Sequence, residues 1–114
     1  MRTETLLNNA DASTTIVSNI YVVESGKDMR WLLTVSSSGL DGTPRMFVEE
    51  SPDGLVWIPL NNHIDGFNYF PLDDNLVSVR DSYFMGKAFR IRIEPNDNTT
   101  GNIDATLIVK SKSN

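Results

Sequence analysis

Apolar and polar positions alternate most cleanly in the last third of the chain. Over Ala88–Glu94, Phe89, Ile91 and Ile93 fall on one side, and Arg90, Arg92 and Glu94 on the other. Over Ile103–Lys110, Ile103, Ala105, Leu107 and Val109 oppose Asp104, Thr106 and Lys110, with Ile108 out of phase. Successive side chains leave a pleated strand on opposite sides, so a period of two marks strands covered on one face. The polar run Pro95–Asn102 between them has a length that closes a hairpin. Upstream, Ile16–Val23 and Met29–Ser36 also read as strands, separated by Glu24-Ser25-Gly26-Lys27. Ser37–Gly42 reads as a loop, and Pro44 marks the edge of the next strand.

Arg45–Asn61 reads as a hairpin whose tip is Ser51-Pro52-Asp53-Gly54. Pro52 presets φ near −65°, Asp53 can bond its own backbone, and Gly54 tolerates positive φ. His63–Asp74 is rich in aromatics but broken by Gly66 and Pro71, which weakens its strand signal. Turn formers at these spacings, with no helical period, predict an all-β fold. The expected architecture is an antiparallel β-sandwich, jelly-roll or immunoglobulin-like, of about seven to nine short strands. Residues 1–15 are polar and read as an extended N-terminal arm; 16–112 read as one sandwich domain.

At 114 residues the chain suffices for one domain with its own core. The absence of Cys removes disulfides, thiolate metal sites and cysteine nucleophiles. A net charge of −5, from 15 acids and 10 bases, argues against nucleic acid or an anionic membrane as partner. The N-terminus MRTETLLNNADASTT lacks the apolar stretch of a signal peptide. The longest apolar runs, of three or four residues, are far short of a membrane-spanning helix.

The order of these features resembles a group of small bacteriophage virion structural proteins. The shared features are the polar arm Leu6–Thr15, the strand Trp31–Ser36, and the hairpin Val48-Glu49-Glu50-Ser51-Pro52-Asp53-Gly54 with Trp57. Phe89–Ile93, the Thr100-Gly101 turn and the closing strand Ile103–Lys110 complete the likeness. The resemblance implies a virion-associated, oligomeric, capsid-decoration-like sandwich, and it carries over no catalytic residue. The same S-x-DG-x-x-W hairpin also occurs in carbohydrate-binding sandwiches.

Candidate chemistry is sparse. His63, the only histidine, has no nucleophile-elbow serine to serve, and one His without Cys leaves a zinc site short of ligands. Glu49 and Glu50 are adjacent in a strand and face opposite sides, so they cannot form the carboxylate pair of a glycosidase. Asp73-Asp74-Asn75 and Asp97-Asn98-Thr99 offer oxygens to a calcium ion, although Asx and Thr side chains more often bond their own turns. Asn98-Thr99-Thr100 also matches a glycosylation sequon.

Arg90 and Arg92 share a strand face about 7 Å apart, where cross-strand acids are the commoner partners. Trp31 is in phase with Leu33 and Val35, which makes it core. The strand holding Leu55 and Trp57 is apolar on both faces, as are Trp31-Leu32-Leu33 and Ile20–Val23; such strands are either fully covered or meet another chain. Leu55, Trp57, Tyr69 and Phe70 are therefore the candidates for a subunit interface or a sugar-stacking platform. The reading is a non-enzymatic virion protein without a cofactor. Its partners are other virion subunits, including copies of itself, with a glycan as the alternative.

Overall fold

The computed structural model describes residues 2–60, 68–73 and 77–112, with the backbone alone for 77–82. Among them are ten strands in two antiparallel sheets. The first sheet runs β1 (Arg2–Asp11), β10 (Asn102–Ser111), β4 (Asp28–Ser38), β8 (Val77–Tyr83). In the second, β2 (Ile16–Val17) and β3 (Tyr21–Val22) pair with β9 (Ala88–Glu94). Next to β9 lies β5 (Arg45–Ser51), which carries β6 (Ile58–Pro59) and β7 (Phe70–Pro71) on its far side.

β2 and β3 are one edge strand interrupted by a bulge. Their register on β9 slips by one residue between Ile16↔Ile93 and Tyr21↔Phe89. Ser18 bridges the slip: its N–H donates to the Ile91 carbonyl at 2.9 Å, and its hydroxyl accepts the Ile91 N–H at 2.9 Å. With β2/β3 and β6/β7 each merged, the described residues form eight strands, ordered 1-8-3-6 and 2-7-4-5. That interleaving of the sheets is the jelly-roll arrangement rather than the immunoglobulin one.

The alternating positions face each other across the sheets. Trp31, Leu33 and Val35 of β4 and Ile103, Ala105, Leu107 and Val109 of β10 meet Met46, Val48, Phe89, Ile91 and Ile93, all fully buried. The Trp31 and Phe89 rings join the layers at 4.9 Å between centroids.

Three expectations need correction. Pro95–Asn102 does not close a hairpin: β9 and β10 lie in different sheets, so the segment crosses the end of the sandwich. Ser37 and Ser38 continue β4 instead of opening the loop. The N-terminal segment is not a free arm, because Arg2–Asp11 is an edge strand paired with β10. A bulge between Thr5 and Leu7 lets the consecutive Leu6 and Leu7 both reach the core, and the Leu6 carbonyl accepts the Asn19 N–H at 3.2 Å.

Candidate functional site

The β5–β6 connection is built by its turn formers, but it is wider than a tight hairpin tip. The Ser51 hydroxyl accepts the Gly54 N–H at 2.7 Å, and Asp53 Oδ1 accepts the N–H groups of Leu55 and Val56 at 2.8 and 3.0 Å. Those two amides hold the Asp53 carboxyl below its ordinary value. Gly54 sits at φ 83°, the left-handed region that only glycine enters without strain. Pairing resumes only at Glu50↔Ile58, so residues 52–57 form a loop beyond the sheet. Leu55 is consequently 83% exposed, with Val56 and Ile58 also open to solvent.

The β8–β9 connection lies against this loop. Lys87 N–H donates to the Ser51 carbonyl at 2.8 Å, and Gly86 runs so close that a Cβ there would fall 2.6 Å from that same oxygen. Glu50 Oε1 accepts the Met85 and Gly86 N–H groups at 3.0 and 3.3 Å. Between the two connections is a groove of about 210 Å³, walled by Pro52, Ile58, Pro59 and Leu60 on one side and Met85 on the other, with Glu50 among its walls. Met85 is 81% exposed at its rim. Burial pushes the Glu50 carboxyl above its ordinary value, partly countered by the two amides.

The outer face of the second sheet is an arginine–aromatic lattice. Arg90 stacks on Trp57 at 4.2 Å, Arg92 on Phe47 at 4.1 Å, and Arg45 on Tyr69 at 4.9 Å. Glu49, only 4% exposed although it points outward, pairs with Arg90 at 2.9 Å and Arg92 at 3.5 Å. The expected cross-strand pairing of Arg90 and Arg92 with acids is thus present. Glu49 and Glu50 face opposite sides, as adjacency in a strand requires.

The four residues read as one interface or platform separate into three places. Trp57 and Tyr69 join the arginine lattice, Leu55 projects from the loop, and Phe70 is half-buried against the core. Phe70 is therefore not a surface candidate: β7 pairs with Arg45 and Met46, and this turns the ring inward. His63, Gly66, Phe67, Asp74 and Asn75 lie outside the described residues. Met85 was missed, because a single Met between Phe84 and Gly86 carries no periodic signal. The burial of Glu49 becomes visible only once Arg90 is known to be its cross-strand partner.

The oxygens of Asp97 and Asn98 are committed to loops. Asp97 Oδ1 accepts the Thr43 N–H at 2.8 Å, and Asn98 Oδ1 accepts those of Asp41 and Gly42, both at 3.0 Å. Asn98 Nδ2 donates to the carbonyls of Ala12 and Thr100 at 3.0 and 2.7 Å, which leaves the sequon nitrogen buried and spent. No group of three or more His, Cys, Asp or Glu able to hold a metal occurs among the described residues.

The protein is thus a jelly-roll sandwich whose exposed apolar side chains collect at one end and along one edge. No family model and no curated protein matches the chain. Among solved structures, it is similar to the crystal structure of the PBSX exported protein XepA, with a TM-score of 0.71 and 15% identity. The match covers 99% of this chain and 38% of that one, so the chain spans less than half the length of the protein it resembles. At this identity the likeness is one of fold.

Proposed function

We propose that this chain is a non-catalytic structural component of a phage virion, a capsid-surface or decoration protein that works through contacts between subunits. The observation that carries this is the distribution of exposed apolar side chains. Val17, Ile20 and Val22 stand out from the β2–β3 edge, while Leu55, Val56, Ile58 and Met85 cluster at the loop end. Scattered single apolar residues are ordinary on a surface, whereas grouped ones on rigid strands and braced loops fit protein contacts. The fold shared with the PBSX exported protein and the resemblance to small virion proteins support the phage setting.

In this reading the β2–β3 edge joins copies of the chain into a homo-oligomer, and the loop end meets another subunit of the particle. Light scattering coupled to size exclusion is expected to give an oligomer at micromolar concentration. The Val17→Ser/Val22→Ser double variant should elute as a folded monomer, and a monomeric wild-type chain would contradict the homo-oligomer. A glycan-binding module ranks lower, because guanidinium groups already stack on Trp57, Phe47 and Tyr69, where a sugar ring would lie.

A further inference from the structure

Glu50 carries a charge that no ion pair among the described residues neutralises. Its Oε1 accepts two backbone amides, and a glutamine carbonyl in the same position would accept both. Its neighbour Glu49 is neutralised by Arg90 and Arg92, whereas no ion pair among the described residues reaches Glu50. Burial outweighs the two amides and raises the carboxyl above its ordinary value, so the ionised form is held less favourably here than in the unfolded chain. A carboxylate without an ion pair, set among apolar walls, is complementary to a cation that arrives from outside.

The walls narrow the choice of cation. Ile58, Pro59, Leu60 and Met85 offer apolar surface along the approach to the carboxylate. That matches a side chain with a long aliphatic stem and a compact charged head. Arginine prefers both carboxylate oxygens in a bidentate fork, but one oxygen of Glu50 is already occupied by two amides. The lysine ammonium, a point charge, needs only the other oxygen. With a net charge of −5, this chain attracts a basic partner to this end.

We infer that the groove between the β5–β6 and β8–β9 connections receives a lysine side chain, presented on an apolar segment of a different, basic subunit of the particle. The inference rests on the reading of this end as a subunit contact and adds the chemistry of what docks there.

The test is a titration of the full-length, isotopically labelled chain with the peptide acetyl-Leu-Lys-Leu-amide, read at the Met85 and Gly86 amide resonances. Peptides with norleucine or arginine in place of lysine run in parallel. The lysine peptide should shift both resonances at millimolar concentration and bind about tenfold more tightly than the norleucine peptide. Glu50→Gln should abolish that preference while raising the melting temperature at neutral pH. The sign follows from linkage: a carboxyl with a raised value loses its stabilising contribution as pH rises through it, so at neutral pH the charge is a net cost. Met85→Ser, which keeps the carboxylate, should weaken all three peptides.

Equal affinity for lysine and norleucine peptides, an unchanged preference in Glu50→Gln, or no shift at either amide would each overturn the inference. An oligomer that Glu50→Gln dissociates would put a second copy in the groove and overturn the choice of a basic partner. Failure of the peptides with the chain still found in particles removes the lysine alone. Lysine-selective binding by a chain absent from particles removes the virion reading instead.

Discussion

Asn98→Ala is expected to destabilise the protein by about 3 kcal/mol, measured as a shift in the urea midpoint at unchanged slope. Asn98 is 3% exposed and makes four hydrogen bonds that tie together three segments distant in the chain. It caps the Asp41 and Gly42 N–H groups and donates to the carbonyls of Ala12 and Thr100. Alanine leaves two donors and two acceptors unpaired, each costing about 1–3 kcal/mol if no water reaches it. Asp41 and Thr100 are exposed, so water re-pairs about half of these groups and lowers the total to about 3 kcal/mol.

Asn98→Asp should be at least as damaging, since it turns the two donated bonds into a charge facing carbonyls. The same loops respond to acid. Bonds from the Thr99 hydroxyl and N–H hold the Asp41 carboxyl below its ordinary 3.8. Its contribution is therefore present above that value and lost as pH falls through the lowered one.

Asp28→Ala is expected to cost about 3 kcal/mol and to make the N-terminal strand sensitive to proteolysis. Asp28 is buried at the turn into β4, where it accepts the Tyr21 hydroxyl at 2.5 Å and the Glu24 N–H at 2.7 Å. Arg2 reaches the same carboxylate at 3.2 Å and also touches the Tyr21 hydroxyl and ring. This clasp fastens the first residue of β1 to the corner of the sandwich. Removing the acid takes the acceptor from the buried Tyr21 hydroxyl and leaves Arg2 only the half-exposed carboxylates of Glu4 and Glu24 and the contact with Tyr21. The end of β1 should then fray, while Leu6 and Leu7, anchored in the core, hold its middle. Limited proteolysis followed by mass analysis would locate the cut; cleavage beyond Leu7 would contradict that division.

How legible each element was follows from how it is covered. β9 and β10 bury one face and expose the other, so their alternation appears in the sequence nearly residue for residue. β1 was misread because Leu6 and Leu7 are adjacent, and only a bulge lets neighbouring residues share the core side. For β4, β5, β9 and β10 the strand was readable but its pairing was not, and the reading held no strand at β8 (Val77–Tyr83). Pro95–Asn102 is long enough for a hairpin or a crossover, and its path is decided by bonds from Asn98 to Ala12 and Asp41, remote in sequence.

The runs apolar on both sides divide: Trp31 and Leu33 are fully buried, Val22 is open on its edge strand, and Leu55 and Val56 are open on a loop where a strand was expected. What no pattern disclosed was the groove. It depends on the β8–β9 connection crossing over Ser51, a contact set by topology.

The virion reading is tested most directly by mass spectrometry of density-purified phage particles from the host that carries this gene. The account predicts the chain in the particle band, in a fixed ratio to the major capsid protein and retained after a high-salt wash. Recovery of the chain only from the soluble lysate, with none in the particle band, would contradict it.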